Sequence, residues 1–190
     1  MDRGAWLFWV ADATGHGVAA ALFTTLVSLL FQNASAASRT AHGILARVNS
    51  EFCSVVRGGS IMTACCTVID SDGRLTFVGA GHPPLLIRRR DGVVEALSSR
   101  NTMIGIDPSM KIDDTVTTLA SGDVALLYTD GLHGLKEKGG ERCTSETVAD
   151  AFASINGSAD VLPRLIAELV QRSDAQAFED DLAAIALHRR

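Results

Sequence analysis

Residues 61–79, IMTACCTVIDSDGRLTFVG, carry the feature that most restricts the fold. Ile61–Ile69 is rich in β-branched residues, Asp70-Ser71-Asp72-Gly73 provides a turn with glycine where a positive φ is needed, and Leu75–Gly79 returns. A hairpin commits its strands to antiparallel pairing, because a parallel neighbour needs a long crossover. A second hairpin signal follows, with Leu85–Arg89 and Val93–Leu97 flanking Arg90-Asp91-Gly92. Val116–Leu119 and Val124–Thr129 read as further strands separated by Ser121-Gly122-Asp123, and Leu182–Leu187 as the last one.

Around these strands the period changes. Ala5–Ala11 is a continuous apolar run, which predicts a strand buried on both faces. Val18–Gln32 is apolar almost all round, predicting a helix sandwiched in the core. Ser38–Val56 predicts a second helix with Thr40 as N-cap and Ile44, Val48, Phe52 and Val55 on one face, ended by Arg57-Gly58-Gly59-Ser60. Ser145–Ser154 and Ala159–Arg172 predict two more, the latter with Leu162, Ile166, Leu169 and Val170 facing the core. Antiparallel runs with helices grouped between them imply an α+β layered fold rather than a βαβ one. Without repeats, low-complexity tracts or linkers, residues 1–190 read as a single domain.

Composition narrows the function. At 47 % hydrophobic residues the chain is globular, and a net charge of −5 argues against nucleic-acid binding, which needs a basic surface. Cys53, Cys65, Cys66 and Cys143 have no CxxC or metal-finger spacing and read as ordinary thiols of a reducing compartment. Cys65 and Cys66, neighbours on a strand, point to opposite faces. The apolar run before Asp12 is too short for a signal peptide, and Val18–Phe31 is too short to span a bilayer, so the expected location is cytoplasmic with no membrane span.

The chemistry concentrates in carboxylates at strand ends. In Val10–Leu22, VADATGHGVAAAL, Asp12 closes an apolar run just before a glycine-rich turn and a small-residue helix. A helix cap, a phosphate cradle and a metal ligand all compete for it. Asp130 ends VALLYTDG, and Asp180 with Asp181 precedes the last strand. Each alone suits a turn or a solvated loop. Three carboxylates converging on one sheet edge would repel one another unless a cation lay between them. Oxygen-only ligands favour Mg²⁺ or Mn²⁺. A pair of such ions about 3.5–4 Å apart activates a water for in-line attack on phosphate.

VADATGHGVAAAL, GAGHPPLLIRR, LLYTDGL and EDDLAAIAL, in that order and spacing, resemble the bacterial metal-dependent serine/threonine phosphatases of the stage II sporulation E type, within the PPM phosphatase superfamily. The resemblance runs from about Trp6 to the C-terminus. It implies a β-sandwich of two antiparallel sheets flanked by helical layers. It also implies two Mn²⁺ or Mg²⁺ ions, with Asp12 as the bridging ligand, the Ala13 carbonyl beside it, and Asp130 and Asp180 completing the set. The implied substrate is phosphoserine or phosphothreonine on a signalling protein, a phosphorylated STAS-type anti-sigma-factor antagonist. The family also carries an upstream Gly-Gly-Asp segment that supplies another acid, and nothing before Trp6 plays that part. The expectation is therefore an N-terminally truncated domain or an incomplete centre, with a sheet edge left open to homodimerisation. Ala183 stands where the family often has Thr, and His133 where it often has Thr or Ser, departures that bear on rate rather than fold.

His16 divides evenly between a general acid or phosphate contact and a turn role, and His82 in AGHPP reads as a hydrogen bond that shapes the Pro83-Pro84 turn, with approach to the active edge as the alternative; neither is taken as catalytic. Arg88-Arg89-Arg90 reads as a solvated hairpin tip, with docking of a phosphorylated partner as the functional reading. Ser98–Thr117 reads as a surface crossover rather than a gate. GxxxxGK[ST] is absent, and the cysteines lack a paired base, which sets aside P-loop and cysteine-phosphatase chemistry. The alternatives to a phosphatase acting on proteins are a non-catalytic domain of the same fold that binds a signalling partner, and hydrolysis of small phosphoesters.

Overall fold

The computed structural model describes residues 4–13, 18–56, 60–136, 138, 140–157, 159–173 and 181–190. Its strands are β1 (Trp6–Ala13), β2 (Met62–Ile69), β3 (Arg74–Ala80), β4 (Leu85–Arg88), β5 (Val94–Leu97), β6 (Thr115–Thr118), β7 (Val124–Tyr128) and β8 (Ala184–His188). Its helices are α1 (Val18–Ala37), α2 (Ala41–Val55), α3 (Ser145–Ala153) and α4 (Val161–Arg172). They form two antiparallel sheets, ordered β1-β2-β3-β6 and β5-β4-β7-β8. Two compact units result, Met1–His82 with Ser98–Thr118, and Pro83–Leu97 with Leu119–Arg190. Residues 119–123 alone separate β6 from β7, yet the two strands enter different sheets.

In the first unit, both expected hairpin strands form, and Gly73 takes a φ of +91° in the turn. Alternation assigns Leu7, Trp9, Ala11 and Ala13 of β1, with Met62, Ala64, Cys66 and Val68 of β2, to the apolar cluster that α1 and α2 cover. Trp9 stacks on Phe31 with ring centroids 4.2 Å apart. Val10, Asp12, Thr63 and Cys65 consequently lie on the other face. Cys65 and Cys66 are both buried and unpaired, and burial pushes the Cys65 thiol up to about 12 and that of Cys66 higher still.

Three expectations need correction here. β1 is an edge strand, with Val10 buried, its other residues half-buried and Trp6 exposed, so it is not enclosed on both faces. Helix α1 is not sandwiched: Val27, Leu30, Phe31 and Ala34 are buried, while Leu22 and Leu29 are 69 % and 51 % exposed. Thr40 does cap α2, accepting from the Gly43 N–H, and Ile44, Val48 and Phe52 are buried, but Val55 ends the helix exposed. The expected terminator at 57–59 lies outside the described residues. The crossover after Ser98 is strapped down. Buried Asn49 donates to the Asp107 carbonyl (2.7 Å) and accepts from Gly105 N–H (3.0 Å), and Ile104 bridges to Met62.

In the second unit, Leu86, Val124, Leu126 and Tyr128 share an apolar cluster with Val148 and Phe152 of α3 and Leu165 and Leu169 of α4. The buried face of α4 is Val161, Leu165 and Leu169, spaced by four; Leu162 and Ile166 are half-buried and Val170 is exposed, so the expected stripe is rotated. The basic run is not a solvated tip. Arg88 is buried over the Phe152 ring and donates to the Gly157 carbonyl, because β4 alternation turns it toward α3. Arg89 bridges Asp123 (2.8 Å) and Glu95 (2.7 Å), leaving Arg90 as the exposed member. Among the described residues, no helix is long and apolar enough to cross a membrane.

Candidate metal centre

Each unit contributes part of the predicted set. In the first, Asp12 and Ala13 end β1, both half-buried, opposite Thr63 and Met62. Met62 donates its N–H to the Ile104 carbonyl (3.1 Å) and accepts from the Ile104 N–H (3.0 Å). A strand residue directs both main-chain groups to one side, so Met62 turns away from β1 and its partner Ala13 turns away from β2. The Ala13 carbonyl therefore lies toward the outer edge of β1, outside the ladder. Thr63 Oγ1, across from Asp12, lies 3.0 Å from His82 Nδ1. His82, expected to shape its own turn, also makes this contact with β2.

In the second unit, Asp130 begins a short 3-10 turn, Asp130–Gly134, immediately after β7, with its carboxylate exposed. Buried Thr129 ties this point to the chain entering β8. Its N–H donates to the Ala183 carbonyl (2.9 Å), and its hydroxyl accepts from the Ala183 N–H (3.0 Å) and lies 3.3 Å from the Asp181 carbonyl. Gly131 has no Cβ because the Asp181 backbone occupies that space. Ala183 joins this lock through its backbone. The TDG sequence is thus held against the start of the last strand, at Asp181. Asp180 itself lies outside the described residues, as does His16.

His133, three residues on, shares a face with Asp130, since side chains at i and i+3 eclipse in a 3-10 turn. Its Nε2 lies 3.4 Å from Ser145 Oγ, and the Tyr128 ring meets it edge-on at 5.8 Å. Burial lowers the pKa of His133, and the Asp130 charge opposes that shift. Asp12 with the Ala13 carbonyl in the first unit, and Asp130 in the second, are oxygen donors of the type that hard divalent cations take. Among the described residues, no three His, Cys, Asp or Glu side chains gather into a ready cage.

Residues 2–190 match the family model of stage II sporulation protein E (SpoIIE), and the chain belongs to that family. It is a PPM-type serine/threonine phosphatase family, and solved relatives share the fold. The SiaA-PP2C domain of Pseudomonas aeruginosa is 25 % identical and superposes with a TM-score of 0.85 over 100 % of this chain and 78 % of its own. Phosphoserine phosphatase RsbP of Bacillus subtilis is 25 % identical over 128 residues, 65 % of this chain and 32 % of that protein. The catalytic domain of the serine/threonine protein phosphatase PstP, solved with two manganese ions, shares the fold at 18 % identity and a TM-score of 0.66, over 95 % of this chain and 86 % of its own. The chain spans about a quarter to a third of the length of the curated relatives it matches.

Sequence reasoning did not single out Thr63, Thr129 and Gly131, which lie beside the predicted site residues. Thr129 and Gly131 flank Asp130 in the quoted motif, so the signal was present. Nothing local marks Thr63, whose relation to Asp12 is a matter of register.

Proposed function

We propose that residues 1–190 form a single Mn²⁺- or Mg²⁺-dependent phosphatase domain that removes phosphate from phosphoserine or phosphothreonine of a signalling protein. The family resemblance suggests a STAS-type anti-sigma-factor antagonist as that protein and the cytoplasm as its place. The observation that carries this reading is the lock of Thr129 and Gly131 onto residues 181–183, which holds the TDG carboxylate against the chain that carries the acidic pair. The phosphoserine phosphatase RsbP and the manganese-bound PstP domain support the same chemistry.

Asp12, the Ala13 carbonyl, Asp130 and Asp180 would hold two ions. When bound, these supply an activated water and neutralise charge on the phosphoryl oxygens. The chain's own part is to present carboxylate oxygens from strand ends whose backbones are fixed by ladder bonds, so that little reorganisation is left for the reaction itself. No side chain forms a covalent intermediate in this scheme. Cys65 and Cys66, the buried thiols of β2, are held protonated and cannot act as thiolates.

The deciding experiment is hydrolysis of p-nitrophenyl phosphate with and without Mn²⁺, beside Asp130→Asn. Metal-dependent turnover lost in the variant is the expected result. Turnover that survives the substitution would overturn the assignment, and absence of turnover in the parent chain would favour a partner-binding domain of the same fold.

A further inference from the structure

We propose that Thr63 and His82 form a positioning pair for the Asp12 carboxylate, a role that rests on Asp12 being a metal ligand. Asp12 and Thr63 are direct partners in the β1–β2 ladder. Because Met62 turns away from β1, alternation makes Asp12 and Thr63 a hydrogen-bonded pair, with Cα atoms about 5.5 Å apart and side chains on one face. Thr63 is the side chain placed to steer that carboxylate.

His82 in turn sets the Thr63 hydroxyl, its Nδ1 lying 3.0 Å from Oγ1. His82 is itself held from both sides. Gly81 before it takes a φ of +63°, donates its N–H to the Asn101 carbonyl (3.1 Å), and has the Met103 side chain where a Cβ would sit. Pro83 after it confines His82 to extended backbone. The GxGHP sequence is thus a device for fixing one imidazole beside Thr63.

The direction of the bond carries the function. If neutral His82 bears its proton on Nδ1, it donates to Thr63 Oγ1 and leaves the hydroxyl hydrogen to be given away. A carboxylate only accepts, and Asp12 is the one across the ladder. The observed bond is that between His82 and Thr63; the onward donation to Asp12 is the inferred step. A second group that orients a ligating carboxylate commonly alters metal affinity by about 10–100-fold.

Two measurements test this. Long-range ¹H–¹⁵N spectra of the metal-free parent chain at pH 8 should show His82 as the Nδ1–H tautomer. The Nε2–H tautomer would overturn the proposal, since Nδ1 would then consume the hydrogen meant for Asp12. Calorimetric Mn²⁺ titration should show affinity weakened about 10–100-fold in Thr63→Val and restored in Thr63→Ser, with Asp12→Asn as reference. Parent-like affinity in Thr63→Val, alongside loss in Asp12→Asn, would overturn the positioning role and leave the metal centre standing. No Mn²⁺ binding by the parent chain would remove both. The tautomer reading needs no variant, so a misfolded substitution does not spare the proposal.

Discussion

The backbone of Asp181 fills the space that a side chain on Gly131 would take. A Cβ there would lie 2.9 Å from the Asp181 carbonyl carbon and 3.2 Å from Leu182 Cα, with the Asp181 carbonyl oxygen closer still. No rotamer change relieves a clash with main chain. Gly131→Ala should cost about 1–3 kcal/mol through overpacking and weaken Mn²⁺ binding together with stability. A parent-like urea midpoint with unchanged Mn²⁺ affinity would show that the contact does not hold the site.

Asn49 is 1 % exposed and satisfies one carbonyl and one N–H of the strap that follows β5, at Asp107 and Gly105. Replacing it by alanine removes both of these hydrogen bonds, at about 0.5–1.5 kcal/mol each. Hydrogen exchange should accelerate at Gly105 while the β7 amides keep their protection. Uniform acceleration across both units would mean that the strap is not a separate element.

Arg88 is held by shape as much as by charge. Its guanidinium lies 5.4 Å from the Phe152 ring centroid and donates to Gly157, while burial and the Arg164 charge lower its pKa. Arg88→Lys keeps the charge but loses the planar fork and the stacking, so it should destabilise by about 2 kcal/mol. A lysine variant as stable as the parent in chemical denaturation would contradict this packing role.

Asp123 gives an acid-side prediction. Burial raises its pKa, but Arg89 and the N–H groups of Ala120 and Arg90 outweigh that and hold it below the ordinary carboxylate value. The unfolded chain therefore takes up a proton more readily. The contribution to stability is complete above the unfolded value of about 3.9 and disappears as the pH falls through the lower folded value. Asp123→Asn should cost about 1–3 kcal/mol at pH 7, because Arg89 keeps Glu95 but loses its charge-assisted bond to the buried carboxylate. The gap from the parent should narrow below about pH 4. A gap independent of pH would dismiss the ionic account.

What was legible in the sequence was what is decided locally. Asp70–Gly73 and the Thr40 cap depend on a few adjacent residues, and both formed as expected. Asp12 and Asp130 stood out because each closes an otherwise apolar run, a pattern visible in a few adjacent residues. Helix α1 defeats periodicity: with nearly every position apolar, tertiary packing alone picks Val27 and Phe31 over Leu22 and Leu29. Arg88 was misread because its burial depends on Phe152, distant in sequence and near in space. Thr63 was invisible because its partner on β1 is defined by pairing register, which no local composition encodes.

The chain leaves one unit for the other at 82–83, returns at 97–98 and leaves again at 118–119. Strand β6 borders β3 but is synthesised after the whole β4–β5 hairpin, and that hairpin must wait for β7 before its sheet can extend. Neither sheet can therefore be cut out as an uninterrupted stretch of gene. An exchange of this sequence between proteins must take it entire: a recombination point anywhere between β1 and β8 divides at least one sheet, and one between β4 and β6 divides both at once.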